Sequence, residues 1–176
     1  MDSTIAVRLT KALAIASLLF GAAAASAEQT AYSVIAIEDA AHSRLILDEN
    51  YEAAIDELVQ IEAEGLDAFY ASTNLCIAYL KVGRLTEART SCDTAVQEIE
   101  TVLESRAITR SQYPVSQRKR RAFLAIALTN RGVVQAIDGK DSLAEADFLA
   151  AIEVRARLDQ PETNLAHFTQ VAALGE

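Results

Sequence analysis

Tryptophan is absent from this 176-residue chain, and it holds only two prolines, two cysteines, two histidines and one methionine. Each scarcity excludes something. Neither histidine nor cysteine recurs within two to five residues of another, so no tetrahedral metal set is spelled out. There is no glycine-rich phosphate loop, no GxSxG elbow and no HExxH helix. A catalytic nucleophile needs a base and an orienting group, and no stretch supplies that set. The expectation is a protein that is not an enzyme, with no catalytic residues, no metal and no cofactor. Basic residues are outnumbered 16 to 25, for a formal charge of −9, which argues against a general nucleic-acid binder.

What is present points to helix. Apolar residues make up 51% of the chain, enough for a packed core in one domain. Alanine is abundant, long β-branched alternation is lacking, and the two helix breakers, Pro114 and Pro161, both lie outside the repeating helical stretches described below. The first 27 residues read as a targeting segment: Arg8 and Lys11, an apolar run over 12–25, then Ala25-Ser26-Ala27 as a small-residue cleavage site. Cleavage after Ala27 would leave a single domain, 28–176, in a periplasmic or secreted location. The apolar run is shorter than the roughly 20 residues of a membrane span, and no cysteine sits near the cleavage point, so no stable membrane anchor is expected.

The stretch over 69–95 organises the remainder. Leu75, Ala78 and Tyr79 share one helix face with Cys76, Gly83 ends that helix, and Leu85, Ala88, Cys92 and Ala95 form one face of the next. Two helices so closely linked pack antiparallel and leave a second apolar face that needs a similar neighbour. The same plan recurs downstream, with Gly132 for Cys76, Gly139 for Gly83, Ala144 for Ala88, Phe148 for Cys92 and Ala151 for Ala95, all at an offset of 56, or 34 plus an insertion of 22. Thirty-four residues upstream of Leu85 and Ala88 stand Tyr51 and Ala54.

This pattern resembles the tetratricopeptide repeat, whose unit is a 34-residue helix hairpin. The resemblance implies an all-α fold, a right-handed superhelical stack of about three hairpins over units 35–68, 69–102 and 125–158, with an insertion at 103–124 and a C-terminal capping helix at 162–174. The small residue of the eighth place is Cys76 and Gly132, with His42 in the first unit. In the family, peptides lie in a concave groove lined by first helices. Carried over, its lining is Tyr70, Thr73, Asn74, Ile77 and Lys81 in the second unit and Ile126, Thr129, Asn130 and Val133 in the third. The basic residues of a carboxylate clamp are missing. The asparagines are instead suited to holding an extended peptide by its backbone while Ile77, Ile126 and Val133 take its apolar side chains.

Other features carry two readings each. Cys76 and Cys92 fall on facing helices in a compartment where disulfides persist, so they are either bridged or two buried thiols filling small core positions. Their Cα separation decides, since beyond 7 Å no bridge forms without backbone movement. Arg118 to Arg121, the one basic cluster, either meets an anionic surface or is a solvated helix start balancing Glu98, Glu100 and Glu104. His42 and His167 have no second histidine nearby in sequence and are read as packing and surface positions. A helix over 32–47 is expected to pair with one over 51–63, ended by Gly65. Asp67 is expected to cap the next helix, Ser142 and Glu145 to form a capping box, and Leu165, Phe168, Val171 and Leu174 to cover the end of the stack. The functional expectation is a scaffold or adaptor that binds another protein or peptide; a self-assembling homo-oligomer and a carrier of a small apolar ligand are the alternatives.

Overall fold

In the computed structural model, residues 31–38, 43–105, 115–154 and 156–175 are described. Among them are seven α-helices and no strand: α1 (Ser43–Leu47), α2 (Tyr51–Leu58), α3 (Leu66–Lys81), α4 (Leu85–Glu104), α5 (Gln117–Ile137), α6 (Asp141–Glu153) and α7 (Gln160–Gly175). The all-α expectation holds. None of these helices is long and apolar enough to cross a membrane. The expected targeting segment, His42 and the expected loop at Pro114 lie outside the described residues.

The hairpins α3–α4 and α5–α6 are built by the same local rule. Gly83 and Gly139 take φ of +78° and +68°, a left-handed conformation that a Cβ would disfavour. In both turns the residue after the glycine donates its N–H to a carbonyl five back, Arg84 to Tyr79 and Lys140 to Gln135, each at 2.8 Å. Each helix packs on the next, and α3 also touches α5 while α5 touches α7. Residues 33–176 cluster as one compact unit. Phe69, Val96, Ile99, Val102, Phe123 and Ile126 form its centre, with the Phe69 and Phe123 rings 5.2 Å apart. Ala88, Ala95, Ala144 and Ala151 are all buried, because larger side chains there would hold neighbouring helices apart.

The eighth and twenty-fourth places meet inside each hairpin. Cys76 and Cys92 are joined by a disulfide with Cα atoms 5.0 Å apart. At the equivalent places Gly132 lies beneath Phe148: a Cβ on that glycine would stand 2.7 Å from the ring's Cε1. One step earlier, Arg131 grips Asp147 through two bonds of 2.7 Å and lies 3.6 Å from Asp93 on α4. The Asp147 hydrogen bond, above all, holds the Arg131 guanidinium above its ordinary pKa.

Several local expectations are corrected. The first unit lacks the expected continuous helix over 32–47: residues 33–37 are not helical, and the described helix there is Ser43–Leu47. The backbone groups of 33, 35 and 37 are bonded to distant side chains, which removes the need for an intrahelical ladder. The partner helix α2 ends at Leu58, so Gly65, at φ +64°, precedes α3 as its N-cap and Asp67 sits in the first turn. There a carboxylate still favours the helix dipole. Helix α6 starts at Asp141 after Lys140, without a side-chain cap, so Ser142 lies inside the helix and makes no capping box. At the end of the stack Phe168 is buried, but Val171 and Leu174 are exposed. In the basic cluster Arg118, Lys119 and Arg121 are solvated, with Ser116 capping the helix by accepting the Lys119 N–H, whereas Arg120 is buried at 2% exposure.

Candidate peptide groove

Three residues of 33–37 are each held by one asparagine. The Ser33 N–H donates to Asn164 Oδ1 at 2.9 Å while Asn164 Nδ2 donates to the Ser33 carbonyl at 2.8 Å. Asn130 does the same for Ile35 at 2.8 and 2.9 Å, and Asn74 for Ile37 at 3.1 and 3.4 Å. Alternate residues meet successive helices α7, α5 and α3. That is the period of an extended chain, in which the N–H and C=O of one residue share an edge. A carboxamide presents an acceptor and a donor side by side, so asparagine matches that edge, whereas aspartate would lack the donor.

The three asparagines stand at one place in the repeat. Asn74 and Asn130 are sixth in their units, and Asn164 follows Asn130 by 34. Each is preceded by threonine, whose hydroxyl donates to the carbonyl four residues back: Thr73 to Phe69 at 2.7 Å, Thr129 to Ala125 at 2.6 Å and Thr163 to Asp159 at 2.8 Å. Each threonine satisfies its hydroxyl locally, within its own helix for Thr73 and Thr129 and on the residue just before α7 for Thr163. All three asparagines are at most 1% exposed. At that burial an amide left without partners would cost about 1–3 kcal/mol, so the rungs and the backbone they hold depend on each other.

The remaining groove residues divide by depth. Ile77, Ile126 and Val133 are buried. Tyr70 is half-buried, its ring edge-on to Phe69 and Phe123 at 5.6 and 5.4 Å, and Lys81 is exposed. Thr73 and Thr129 face their own helix backbones and do not reach the segment through a hydrogen bond of their hydroxyls. Ile37 belongs to the central core and Ile35 packs against it. The contacts shown with residues 33–37 are therefore uncharged: main-chain bonds to asparagine, and the packing of Ile35 and Ile37.

Asn164 and Thr163 were not expected as groove residues, and α7 was expected only as a cap. The signal was in the chain: Thr-Asn occurs three times, at 73–74, 129–130 and 163–164, the last two separated by the repeat length. Helix α7 thus carries the same Thr-Asn pair as α3 and α5. Among the described residues no group of three histidine, cysteine, aspartate or glutamate side chains could hold a metal ion. Compared with family models, curated proteins and solved structures, the chain matches none.

Proposed function

We propose that this chain is a secreted, periplasmic interaction module of the tetratricopeptide type, an adaptor that holds an extended segment of a partner protein along the concave face of a right-handed stack formed by α3, α5 and α7. The single observation that carries this reading is the row of asparagines, one per first helix, each gripping both backbone groups of one residue in a non-helical segment. The spacing supports it: rungs 34, or 34 plus 22, residues apart place one carboxamide per repeat. Contacts of α3 with α5 and of α5 with α7 support a common face.

The test is crosslinking in the cells that make the protein, through a photoreactive residue at Lys81, an exposed residue that the resemblance assigns to the groove. The expected result is a discrete protein adduct that disappears in Asn130→Asp, a variant that keeps the shape but places a carboxylate against the carbonyl at the central rung. An adduct pattern indifferent to Asn130→Asp, or no adduct, sinks the proposal.

A further inference from the structure

We infer that residues 33–37 are a tethered ligand: the chain fills its own groove, and a partner must bring an extended segment with two apolar residues one apart to displace it. This rests on the proposed function and adds the partner's chemistry and the regulation of the same site. The occupant itself defines the chemistry. Every hydrogen bond given above between the asparagines and the segment goes to its main chain. Side-chain selection is left to Ile37, which is buried in the apolar centre that holds Phe69 and Ile126, and to half-buried Ile35, which packs against that centre. Ser33 is exposed, and Val34 and Ala36, half-buried like Ile35, are not packed on that centre as Ile35 is, so those places are the more permissive. A partner therefore needs the pattern apolar-any-apolar in an unbroken extended stretch, without proline where a rung requires an N–H.

The tether sets the strength of the competition. Six residues separate Ile37 from Arg44 in the first helix, and a short connection of this kind holds its end at an effective concentration on the order of millimolar. A free peptide at micromolar concentration thus meets a competitor in roughly 10²–10³-fold excess, and its apparent affinity falls by the fraction of chains whose groove is open.

The experiment titrates a fluorescent peptide of residues 31–39, AYSVIAIED, into the full chain and into Ile35→Pro/Ile37→Pro. That variant removes the N–H groups accepted by Asn130 and Asn74 while keeping apolar side chains. The expected outcome is binding at least tenfold tighter to the variant, with no binding of a peptide carrying aspartate in place of both isoleucines. Equal affinity for the two proteins overturns the tethered ligand and leaves the groove intact as a peptide site. A folded variant that binds no peptide overturns both, since the segment would then be a fixed part of the core. Amide exchange on the unaltered full chain decides the case even if the double proline variant fails to fold. The Ile35 and Ile37 amides are expected to exchange by a local opening, at least a hundredfold faster than those of Val133 and Val134 in α5; exchange of all four at one common rate overturns the inference.

Discussion

In α3–α4 the eighth and twenty-fourth places of the repeat are Cys76 and Cys92, bonded covalently. Fifty-six residues later, in α5–α6, they are Gly132 and Phe148, which only touch. Both pairs are buried between antiparallel helices. One hairpin fills the slot with two small residues and a bond, the other with no side chain and a large ring. The neighbouring places differ in parallel: Leu75 and Ser91 in the first hairpin stand where Arg131 and Asp147 form an ion pair in the second. The two hairpins close the same two places with different chemistry. Only the first solution depends on an oxidising compartment.

The largest break in this comparison is expected from Phe148→Ala, which leaves a cavity against Gly132 and should cost about 3–5 kcal/mol, read as a lower urea midpoint. Cys76→Ser/Cys92→Ser removes a bridge that closes a 16-residue separation and should cost about 3 kcal/mol. Reductant should lower the stability of the unaltered protein to that of the double serine variant and leave the variant unmoved. If reductant changes neither, the bridge does not hold the first hairpin. Gly132→Ala should cost about 1–3 kcal/mol, because its Cβ would press the Phe148 ring; a neutral result would show that the ring has room to move.

The smallest expected effect concerns the joint between the hairpins, where Asp138 meets Lys140 at 2.7 Å and Arg89 of α4 at 3.1 Å. The hydrogen bond from Lys140, and then the one from Arg89, hold the Asp138 carboxyl below its ordinary pKa. A depressed folded value means stabilisation that is present above the unfolded pKa and lost as pH falls through the folded one. Asp138→Asn should therefore be slightly less stable than the unaltered chain at neutral pH, and the gap should close on the acid side of the carboxylate range. Because the pair is solvated, the difference should be a few tenths of a kcal/mol. A gap that widens in acid would contradict the assigned cause.

Both hairpins were legible because glycine marks each turn and small residues recur at one offset: Gly83, Gly139, Ala88 and Ala144 act locally, so sequence spacing reports them directly. Asn74 and Asn130 were readable from the family's groove places. The segment over 33–37 was not. Ile35, Ile37, Ala41 and Leu45 fit a helical period, while the carboxamides that hold the segment come from residues 37 to 131 positions away. No local pattern reports a bond of that range. The run Val34, Ile35 and Ile37 did carry a β-branched preference for extended backbone, too short to outweigh the helical spacing. Asn164 went unseen for a different reason: the helix over 162–174 was expected, with Pro161 at its first turn, but only as a cover for the end of the stack, so its places were not matched to those of Asn74 and Asn130.

The rungs also bear on direction. The segment runs from α7 towards α3, against the order of the helices, with every Oδ1 turned to an N–H. A main chain laid the opposite way would offer the same two groups in swapped order, and a half-turn of each carboxamide about its last torsion would meet them. Polarity in this trough is thus set by how three amides are rotated, and the seating of Ile35 and Ile37 is what favours one orientation over its reverse. A reversed-sequence peptide that binds the opened groove as tightly as the forward one would show that the apolar seats impose no direction at all.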